Sequence, residues 1–301
     1  MRLALMIEGQ EGVTWEDWLA LARACEEHGI ETMFRSDHYL SAADPEGRPS
    51  TDAWTLLGAL AARTERLRLG TLVSPVTFRH PAVLAKAVVT ADHVSGGRVE
   101  LGMGTGWMDA EHEVYGIPFP PMKIRLGLLA GQLETVHRHW TEEPRIQPKP
   151  VQQPHPPLLV GGSGLSGTID PAARFADEYN TVMASPAECA ERREKLARAC
   201  EREGREPIPL SLMTGCAIGT DEGEARDRVR RRLERSSQQI DPDTYVRDRG
   251  DRLVVGTVEQ AAERLRAFEQ AGVTRVMLQH LDHSDLDMVA LIGRELVPAV
   301  A

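Results

Sequence analysis

The segment Arg98-Val-Glu-Leu-Gly-Met-Gly-Thr-Gly-Trp107 joins a strand-like apolar run to three glycines at alternate positions. Gly102, Gly104 and Gly106 lack a Cβ atom, so the backbone can approach a neighbouring group closely and adopt positive φ at little cost. Acidic side chains in 107–113 mark the start of a helix. A glycine turn between a strand and a helix suits an anion or a planar ligand. The Gly-x-Gly-x-Gly spacing differs from the dinucleotide fingerprint and by itself also fits a simple tight turn.

The same alternation of strand and helix continues on both sides of this segment. Strands are predicted at 3–7, 32–38, 67–75, 158–164, 178–182, 210–218 and 275–280, and the glycine-rich stretch 98–107 is predicted to be the fourth strand and its loop. Helical sequence lies between the strands, including a short helix at 171–176. Eight alternating strands imply parallel pairing through right-handed crossovers. A closed (β/α)8 TIM barrel accounts for this number without exposed edges and is favoured over an open doubly wound sheet.

One charged segment interrupts the regular pattern. Residues 221–255 are predicted to be helical in the first half and irregular around Asp241-Pro-Asp243. We interpret this segment as an insertion before the eighth strand. The chain, 1–301, is otherwise predicted to be a single domain.

Composition limits the classes of function. The 301 residues are 42% hydrophobic and 27% charged with a net charge of -10, which argues against nucleic acid or an anionic membrane as a partner. No apolar stretch reaches the roughly 20 residues of a membrane span, and Glu8 interrupts the first apolar run too early for a signal peptide. We therefore expect a cytosolic protein. The four cysteines are scattered and predict neither disulfides nor a zinc site, and no metal is expected.

Polar residues and glycines gather at the predicted carboxyl ends of the strands, the face that carries the active site of a barrel. They are Glu8, Asp37, His38, Ser74, the glycines of 102–106 and 161–164, Asn180 and His280. Asp37 and His38 place a carboxylate beside an imidazole, which can exchange a proton near neutral pH. A structural role for His38 and a turn-capping role for Asp37 are the alternatives.

A second glycine turn, Gly161-Gly-Ser-Gly164, follows the fifth strand. Its backbone donors and hydroxyl suit a phosphate on a cofactor, although the sequence also fits a plain turn. In a barrel the two glycine turns lie on neighbouring parts of one rim. Trp107, directly after the first turn, could wall a flat ligand.

Seven motifs occur together over most of the chain: Ser36-Asp-His38, Leu69-Gly-Thr-Leu-Val-Ser-Pro75, Phe78-Arg-His-Pro-Ala-Val-Leu-Ala-Lys86, Asp92-His-Val-Ser-Gly-Gly-Arg98, Leu101-Gly-Met-Gly-Thr-Gly-Trp107, Glu111-His-Glu-Val-Tyr-Gly-Ile-Pro118 and Pro157-Leu-Leu-Val-Gly-Gly162. Jointly they resemble the luciferase-like flavin and deazaflavin oxidoreductases. The resemblance implies a (β/α)8 barrel with an insertion. Within that family the sequence is most similar to enzymes that use coenzyme F420, a deazaflavin that transfers hydride from C5; FMN is the alternative cofactor.

The resemblance also assigns roles to individual residues. Asp37 and His38 would lie near the deazaflavin ring, with His38 as the candidate acid/base. A bulge with a non-proline cis peptide at Leu72–Val73 would support the ring. The remaining cofactor-binding residues implied by the resemblance are Ser74, Gly104, Thr105, Gly106, Gly161, Gly162, Ser163 and Gly164, the last four holding the phosphate.

The sequence therefore predicts an F420-dependent oxidoreductase that transfers hydride between the deazaflavin and a small organic substrate. Alternatives are an FMN-dependent luciferase-like monooxygenase and a non-catalytic flavin- or deazaflavin-binding protein. A sugar-processing barrel enzyme is disfavoured, since paired carboxylates are not evident at the strand ends. Sugar-phosphate dehydrogenases of the family carry a catalytic glutamate where this chain has Trp107, which favours an apolar or aromatic substrate. The resemblance alone predicts a homodimer.

Overall fold

The strands and helices of the computed structural model, which describes residues 1–44 and 46–301, alternate along the chain. Within those ranges the strands are β1 Arg2–Ile7, β2 Thr32–Arg35, β3 Arg68–Thr71, β4 Ser74–Pro75, β5 Val99–Gly104, β6 Leu158–Gly161, β7 Glu178–Val182, β8 Leu210–Gly219, β9 Val254–Thr257 and β10 Val273–Gln279. The α-helices are α1 Trp15–His28, α2 Ala53–Ala61, α3 Pro81–Ser95, α4 Asp109–Tyr115, α5 Met122–Thr141, α6 Ser166–Phe175, α7 Pro186–Arg202, α8 Glu222–Arg235, α9 Pro242–Arg249, α10 Val258–Gln270, α11 Leu286–Leu291 and α12 Val297–Ala299. A 3-10 turn spans Gly250–Arg252 and a π-helical turn spans Ile292–Leu296.

Parallel strands close into a barrel. The pairing runs from β10 through β1, β2, β3, β5, β6, β7 and β8, and β8 pairs with β10 to complete the ring. Each of these pairs is parallel, as expected for strands joined by helical crossovers. The predicted (β/α)8 barrel is confirmed.

The third strand of the barrel is interrupted near its carboxyl end. β3 stops at Thr71, the cis Leu72–Val73 peptide follows, and β4 resumes parallel pairing with β5. The bulge and the non-proline cis peptide expected from the family resemblance are therefore present at the predicted bond.

Local side-chain signals explain where the helices begin and end. Thr14, Ser185 and Thr257 each form a capping box at the start of α1, α7 and α10. Gly29 and Gly96 end α1 and α3 with φ of 84° and 67°, a left-handed conformation that a side chain would disfavour. These caps are visible in the sequence, which is why the predicted boundaries lie close to the observed ones.

Two segments differ from the prediction. α6 begins at Ser166 and not at 171, because Pro171 lies inside this helix and does not start it. The second glycine turn therefore leads almost directly into a helix. Asp241 caps α9 by accepting a hydrogen bond from the Thr244 N–H at 3.0 Å, where an irregular loop was expected. β9 adds a short strand that pairs with the distal half of β8 outside the barrel. The description of 221–255 as an insertion stays a prediction.

The interior of the barrel contains a cluster of buried ion pairs below an apolar layer. Arg275 on β10 lies 2.9 Å from Glu100 on β5 and 2.9 Å from Glu178 on β7, and all three side chains are buried. The layer above them consists of Ala4, Met6, Phe34, Leu72, Leu159 and Met277. These side chains fill the barrel, so its interior is a packed core and not a channel.

Several sequence-based expectations concern features away from the barrel axis. All four cysteines are buried thiols, and burial raises the pKa of Cys216 to about 12. In the described part of the chain, no group of three His, Cys, Asp or Glu side chains could hold a metal ion. None of the helices described has both the length and the apolarity to cross a bilayer.

Candidate active site at the carboxyl ends of the strands

Asp37 follows β2 and is fully buried. Its Oδ2 accepts hydrogen bonds from Ser74 Oγ at 2.6 Å and from the Arg79 guanidinium at 2.5 Å. Ser74 Oγ in turn accepts a hydrogen bond from Trp54 Nε1 at 3.0 Å. These contacts occupy the Asp37 carboxylate and the Ser74 hydroxyl, so both side chains fix the end of β2 against β4.

His38, the next residue, pairs with Glu111 of α4. The His38 Nδ1 lies 2.8 Å from Glu111 Oε1, and Glu111 Oε2 accepts a hydrogen bond from the Tyr39 N–H at 3.0 Å. Burial by itself would lower the pKa of His38, but the hydrogen bond and charge of Glu111 outweigh burial and raise that pKa above its usual 6.5. Because Nδ1 faces a carboxylate, Nε2 is the nitrogen that can exchange a proton with a ligand.

Large apolar side chains follow three neighbouring strands and remain exposed. Trp107 after β5 is 64% exposed, Leu165 after β6 is 67% exposed, and Val182 at the end of β7 is 38% exposed. The Trp107 ring meets the His38 imidazole edge-on, with 5.4 Å between centroids and an interplanar angle of 71°. An exposed apolar surface beside a half-buried imidazole and its carboxylate partner is suited to a flat ligand.

The glycines of β5 and β6 make room for Val73. A Cβ atom on Gly104 would lie 2.5 Å from Val73 Cγ2, and one on Gly161 would lie 2.8 Å from Val73 Cγ1. Both strand ends therefore converge on the residue that follows the cis peptide. In the structure, the group that comes close to these glycines is the Val73 side chain. That Gly104 or Gly161 also contacts a ligand stays a prediction.

We expect Gly104→Ala to lower the free energy of unfolding by about 1–3 kcal/mol, because the added methyl group overlaps Val73. Chemical denaturation measures this change, and Val73→Ala in the same chain should recover part of the loss. Gly131→Ala is the control, since no atom outside its own helix backbone lies within 4 Å of the added Cβ. It should be neutral or stabilising by about 0.4–1 kcal/mol. Equal losses for Gly104→Ala with and without Val73→Ala would contradict the proposed overlap.

The loop after β5 is held from α5. The Arg125 guanidinium donates to the carbonyls of Thr105 at 3.3 Å and Gly106 at 2.7 Å, and it stacks over Phe119 at 3.7 Å. Gly106 has φ of 76°, which favours glycine at this position. These contacts fix the loop that presents Trp107 to His38.

The second glycine turn is built around a tyrosine hydroxyl. Tyr179 OH accepts a hydrogen bond from the Gly164 N–H at 3.0 Å and lies 2.8 Å from Thr168 Oγ1. A Cβ on Gly162 would overlap these same hydroxyl groups, while Ser163 is exposed. Arg192 of α7 reaches the turn, since a Cβ on Gly164 would lie 2.8 Å from Arg192 Cγ. First-turn amides of α6 and a guanidinium are chemically suited to a phosphate group.

A cavity of about 280 Å³ opens beside Trp107. On its β1 and β10 side, Glu8 accepts hydrogen bonds from Gln279 Nε2 at 2.6 Å and Gln10 Nε2 at 3.1 Å. Another wall is formed by Arg235, Ser236 and Gln238, at the end of α8 and just after it. The cavity thus combines an indole with carboxylate and carboxamide groups. A larger cavity of about 1050 Å³ lies at the opposite end of the barrel, beside Met1, Arg2 and Val273.

Not every predicted strand-end residue faces this mouth. Asn180 donates a hydrogen bond to Ser211 Oγ at 2.9 Å within the barrel. His280 is buried, and burial lowers its pKa to about 4, so it is neutral at pH 7. Glu111, Arg79 and Arg192 were not predicted as site residues. The Glu111-to-Pro118 motif was the available signal for Glu111, whereas its pairing with a histidine 73 positions earlier becomes visible only in the folded chain.

The fold and these contacts define a TIM barrel with a histidine–glutamate pair beside an apolar surface. Residues 4–275 match the family model described as luciferase-like monooxygenase, and the chain belongs to this family. An uncharacterized Mycobacterium tuberculosis protein is 34% identical over 191 residues, which cover 54% of this chain and 66% of that protein, slightly less than two thirds. An F420-dependent glucose-6-phosphate dehydrogenase of Microbacterium testaceum is 27% identical over 309 residues, covering 91% of this chain and 90% of that protein. The crystal structure of a Streptomyces bottropensis monooxygenase shares the fold over the whole of both chains, with a TM-score of 0.84 and 23% identity.

Proposed function

We propose that this protein is an F420-dependent oxidoreductase that transfers a hydride between the deazaflavin and a small organic substrate. The observation that carries the proposal is the His38–Glu111 pair, which holds an imidazole beside the exposed ring of Trp107 at the strand ends. The similarity to a relative named as F420-dependent, which extends over 91% of this chain, supports the choice of cofactor.

The residues present fit a deazaflavin phosphate. In our proposal the ring would be held by Leu72 and Val73 of the interrupted third strand and by residues 104–106. The second glycine turn and Arg192 offer backbone amides and a positive charge for the phosphate. When bound, coenzyme F420 supplies a carbon centre that accepts or donates hydride, which no side chain can do.

The side chains of this chain supply proton transfer and positioning. His38 Nε2 exchanges the proton that accompanies hydride transfer, and Glu111 fixes the ring through Nδ1. Asp37 acts as a positioning residue, since its carboxylate is held by Ser74 and Arg79. The exposed surfaces of Trp107 and Leu165 exclude water from a ligand packed against them.

The substrate proposal follows from the cavity beside Trp107. We propose a small molecule whose apolar or aromatic part packs on this indole and whose polar group meets Glu8 or Gln279. A sugar phosphate is not the substrate that we propose, although the name of the Microbacterium relative includes one. Trp107 stands where the sugar-phosphate dehydrogenases of the family are expected to carry glutamate.

Glu111→Gln should move the His38 limb of the pH–rate profile to lower pH, because the charge that raises the pKa of His38 is removed. The His38–Glu111 pair stabilises the folded state at pH values below 6.5, the pKa of the His38 side chain in the unfolded chain. This stabilisation is lost as the pH rises through the raised pKa of the folded state. Melting temperatures of wild type and variant should therefore differ most at low pH. Glu113→Gln, an exposed change in the same helix, is the control. An unmoved profile in Glu111→Gln would contradict the assignment.

Turnover with and without dioxygen tests the proposed reaction. Purified protein is incubated with oxidised or reduced F420 and a panel of alcohols, aldehydes and unsaturated carbonyl compounds, and the deazaflavin absorbance is followed. Turnover in the absence of dioxygen supports hydride transfer. Turnover only with reduced FMN and dioxygen would support the monooxygenase alternative. Tight binding without turnover across the panel would favour a non-catalytic binding protein.

We also propose that the protein forms a homodimer. Val83 on α3 and Ile124 and Leu128 on α5 are exposed apolar side chains on two helices that pack together outside the barrel. Sedimentation velocity distinguishes a dimer from a monomer. The cytosolic location expected from the sequence stays a prediction.

A further inference from the structure

The cavity beside Trp107 contains a half-buried carboxylate that is held by amides and not by a cation. Glu8 Oε1 accepts a hydrogen bond from Gln279 Nε2 at 2.6 Å, and Glu8 Oε2 accepts one from Gln10 Nε2 at 3.1 Å. Within the part of the chain that the structure describes, no Lys, Arg or His side chain forms an ion pair with Glu8. A carboxylate accepts about four hydrogen bonds, so Glu8 can still accept from a ligand.

Both amides are themselves held in the orientation that faces this carboxylate. Gln10 Oε1 accepts a hydrogen bond from Ser36 Oγ, and Gln279 Oε1 accepts one from the Arg232 guanidinium. Because each amide oxygen already has a donor, each amide nitrogen is left to donate to Glu8. The carboxylate is therefore fixed in the wall of the cavity before any ligand binds.

The other charged side chains around this cavity have counterions on the protein. Glu11 lies 2.6 Å from Arg48, and Arg235 lies 3.4 Å from Asp282. The imidazole of His38, next to the indole, has its own carboxylate partner at 2.8 Å. One carboxylate is thus left without a counterion, and it shares the cavity with an exposed aromatic ring.

We propose that the substrate of this protein carries a protonated amine, which binds between the Glu8 carboxylate and the Trp107 indole. The inference rests on the proposed function and deepens it. An ammonium group donates charge-assisted hydrogen bonds to a carboxylate and is attracted to the face of an indole ring. An anionic substrate would meet the same carboxylate with repulsion, so the cavity selects by charge in both directions.

The size of the cavity limits the rest of the substrate. Its volume is about 280 Å³. An apolar cavity of about 150 Å³ is enough to hold benzene, so a single ring with a short aminoalkyl group fits. The amine is the recognition group in this arrangement and is distinct from the carbon that exchanges hydride.

A calorimetric titration of the full cofactor-free chain with three single-ring compounds tests the proposal. The probes at pH 7 are benzylamine, which is protonated, benzyl alcohol, which is neutral, and benzoate, which is anionic. We expect benzylamine to bind about 10- to 100-fold more tightly than benzyl alcohol at low ionic strength, the combined effect of a charge-assisted hydrogen bond and a cation–π contact. Benzoate should bind most weakly, and the advantage of benzylamine should shrink as salt is added.

Two variants assign this advantage to one carboxylate. Glu8→Gln keeps the shape of the side chain and removes its charge, so it should lose the advantage of benzylamine and keep wild-type affinity for benzyl alcohol, which also shows that the cavity is intact. Glu16→Gln is the matched control, because it makes the same change at an exposed position in the first turn of α1, outside the cavity walls. It should retain the advantage. The comparison of the three compounds on the wild-type chain stands even if Glu8→Gln does not fold.

The possible failures are distinguishable. Equal wild-type affinity for benzylamine and benzyl alcohol would overturn the assignment of an amine-bearing substrate and leave the proposed function intact, because these titrations contain no cofactor. A folded Glu8→Gln variant that retains the advantage of benzylamine would do the same. Binding of FMN with no binding of F420 would overturn the proposed function, whichever of the three compounds binds best.

Discussion

Replacing His38 with asparagine is expected to lower kcat by about 10²- to 10⁴-fold, the usual contribution of a general acid or base. The variant keeps a polar side chain of similar reach but has no group that titrates near neutral pH. Cofactor affinity should change little, because the proposed contacts to the cofactor come from other residues. Steady-state kinetics with F420 and an active substrate, together with a cofactor titration, measure the two quantities separately.

His80→Asn is the matched control for this variant. His80 caps α3 by accepting a hydrogen bond from the Ala82 N–H at 3.3 Å, and asparagine is itself a favourable N-cap. It should leave kcat unchanged. A His38→Asn enzyme with wild-type kcat would remove this histidine from proton transfer and favour a structural role.

Replacing Arg275 with methionine is expected to lower the free energy of unfolding by about 3–5 kcal/mol, the usual cost of leaving buried carboxylates without their partner. Arg275 is 4% exposed in its side chain and lies between Glu100 and Glu178. In the variant Glu100 keeps its contact with Arg68 at 2.7 Å, so Glu178 is the carboxylate that loses most of its ion pairing. Urea denaturation of the purified variant measures the change.

The pH dependence of this deficit identifies its cause. Burial already raises the pKa of Glu178, and removing Arg275 raises it further. A carboxyl whose folded pKa is raised destabilises the protein as pH rises, so the deficit should shrink as pH falls toward the unfolded value of 4.5. Arg2→Met is the control: Arg2 reaches the same carboxylate at 3.9 Å from an exposed position, and its loss should cost less than about 1 kcal/mol. A deficit independent of pH would contradict this explanation.

Most of the barrel could be predicted because its elements carry local signals. Capping boxes, left-handed glycines and apolar runs set the ends of α1, α7 and β8 without reference to the rest of the chain. The start of α6 was missed because a proline is favourable in a first turn, whereas Pro171 lies further inside the helix. β9 was missed because its four residues gain their strand partner only when β8 is in place.

The site was predicted less completely because its contacts join distant parts of the chain. The sequence predicted Asp37, His38 and both glycine turns as site candidates, since each lies at the end of a strand. It could not show that Arg79 and Ser74 occupy the Asp37 carboxylate, or that Glu111 orients His38. It also could not show that Val73 fills the space left open by Gly104 and Gly161.

Titration of the cofactor-free protein with F420 and, separately, with FMN tests the central claim most directly. The quenching of intrinsic protein fluorescence reports binding of either molecule near Trp107, one of its five tryptophans. We predict saturable binding of F420 that is at least about tenfold tighter than binding of FMN, a difference of about 1.4 kcal/mol. Saturable binding of FMN with no detectable binding of F420 would contradict the account.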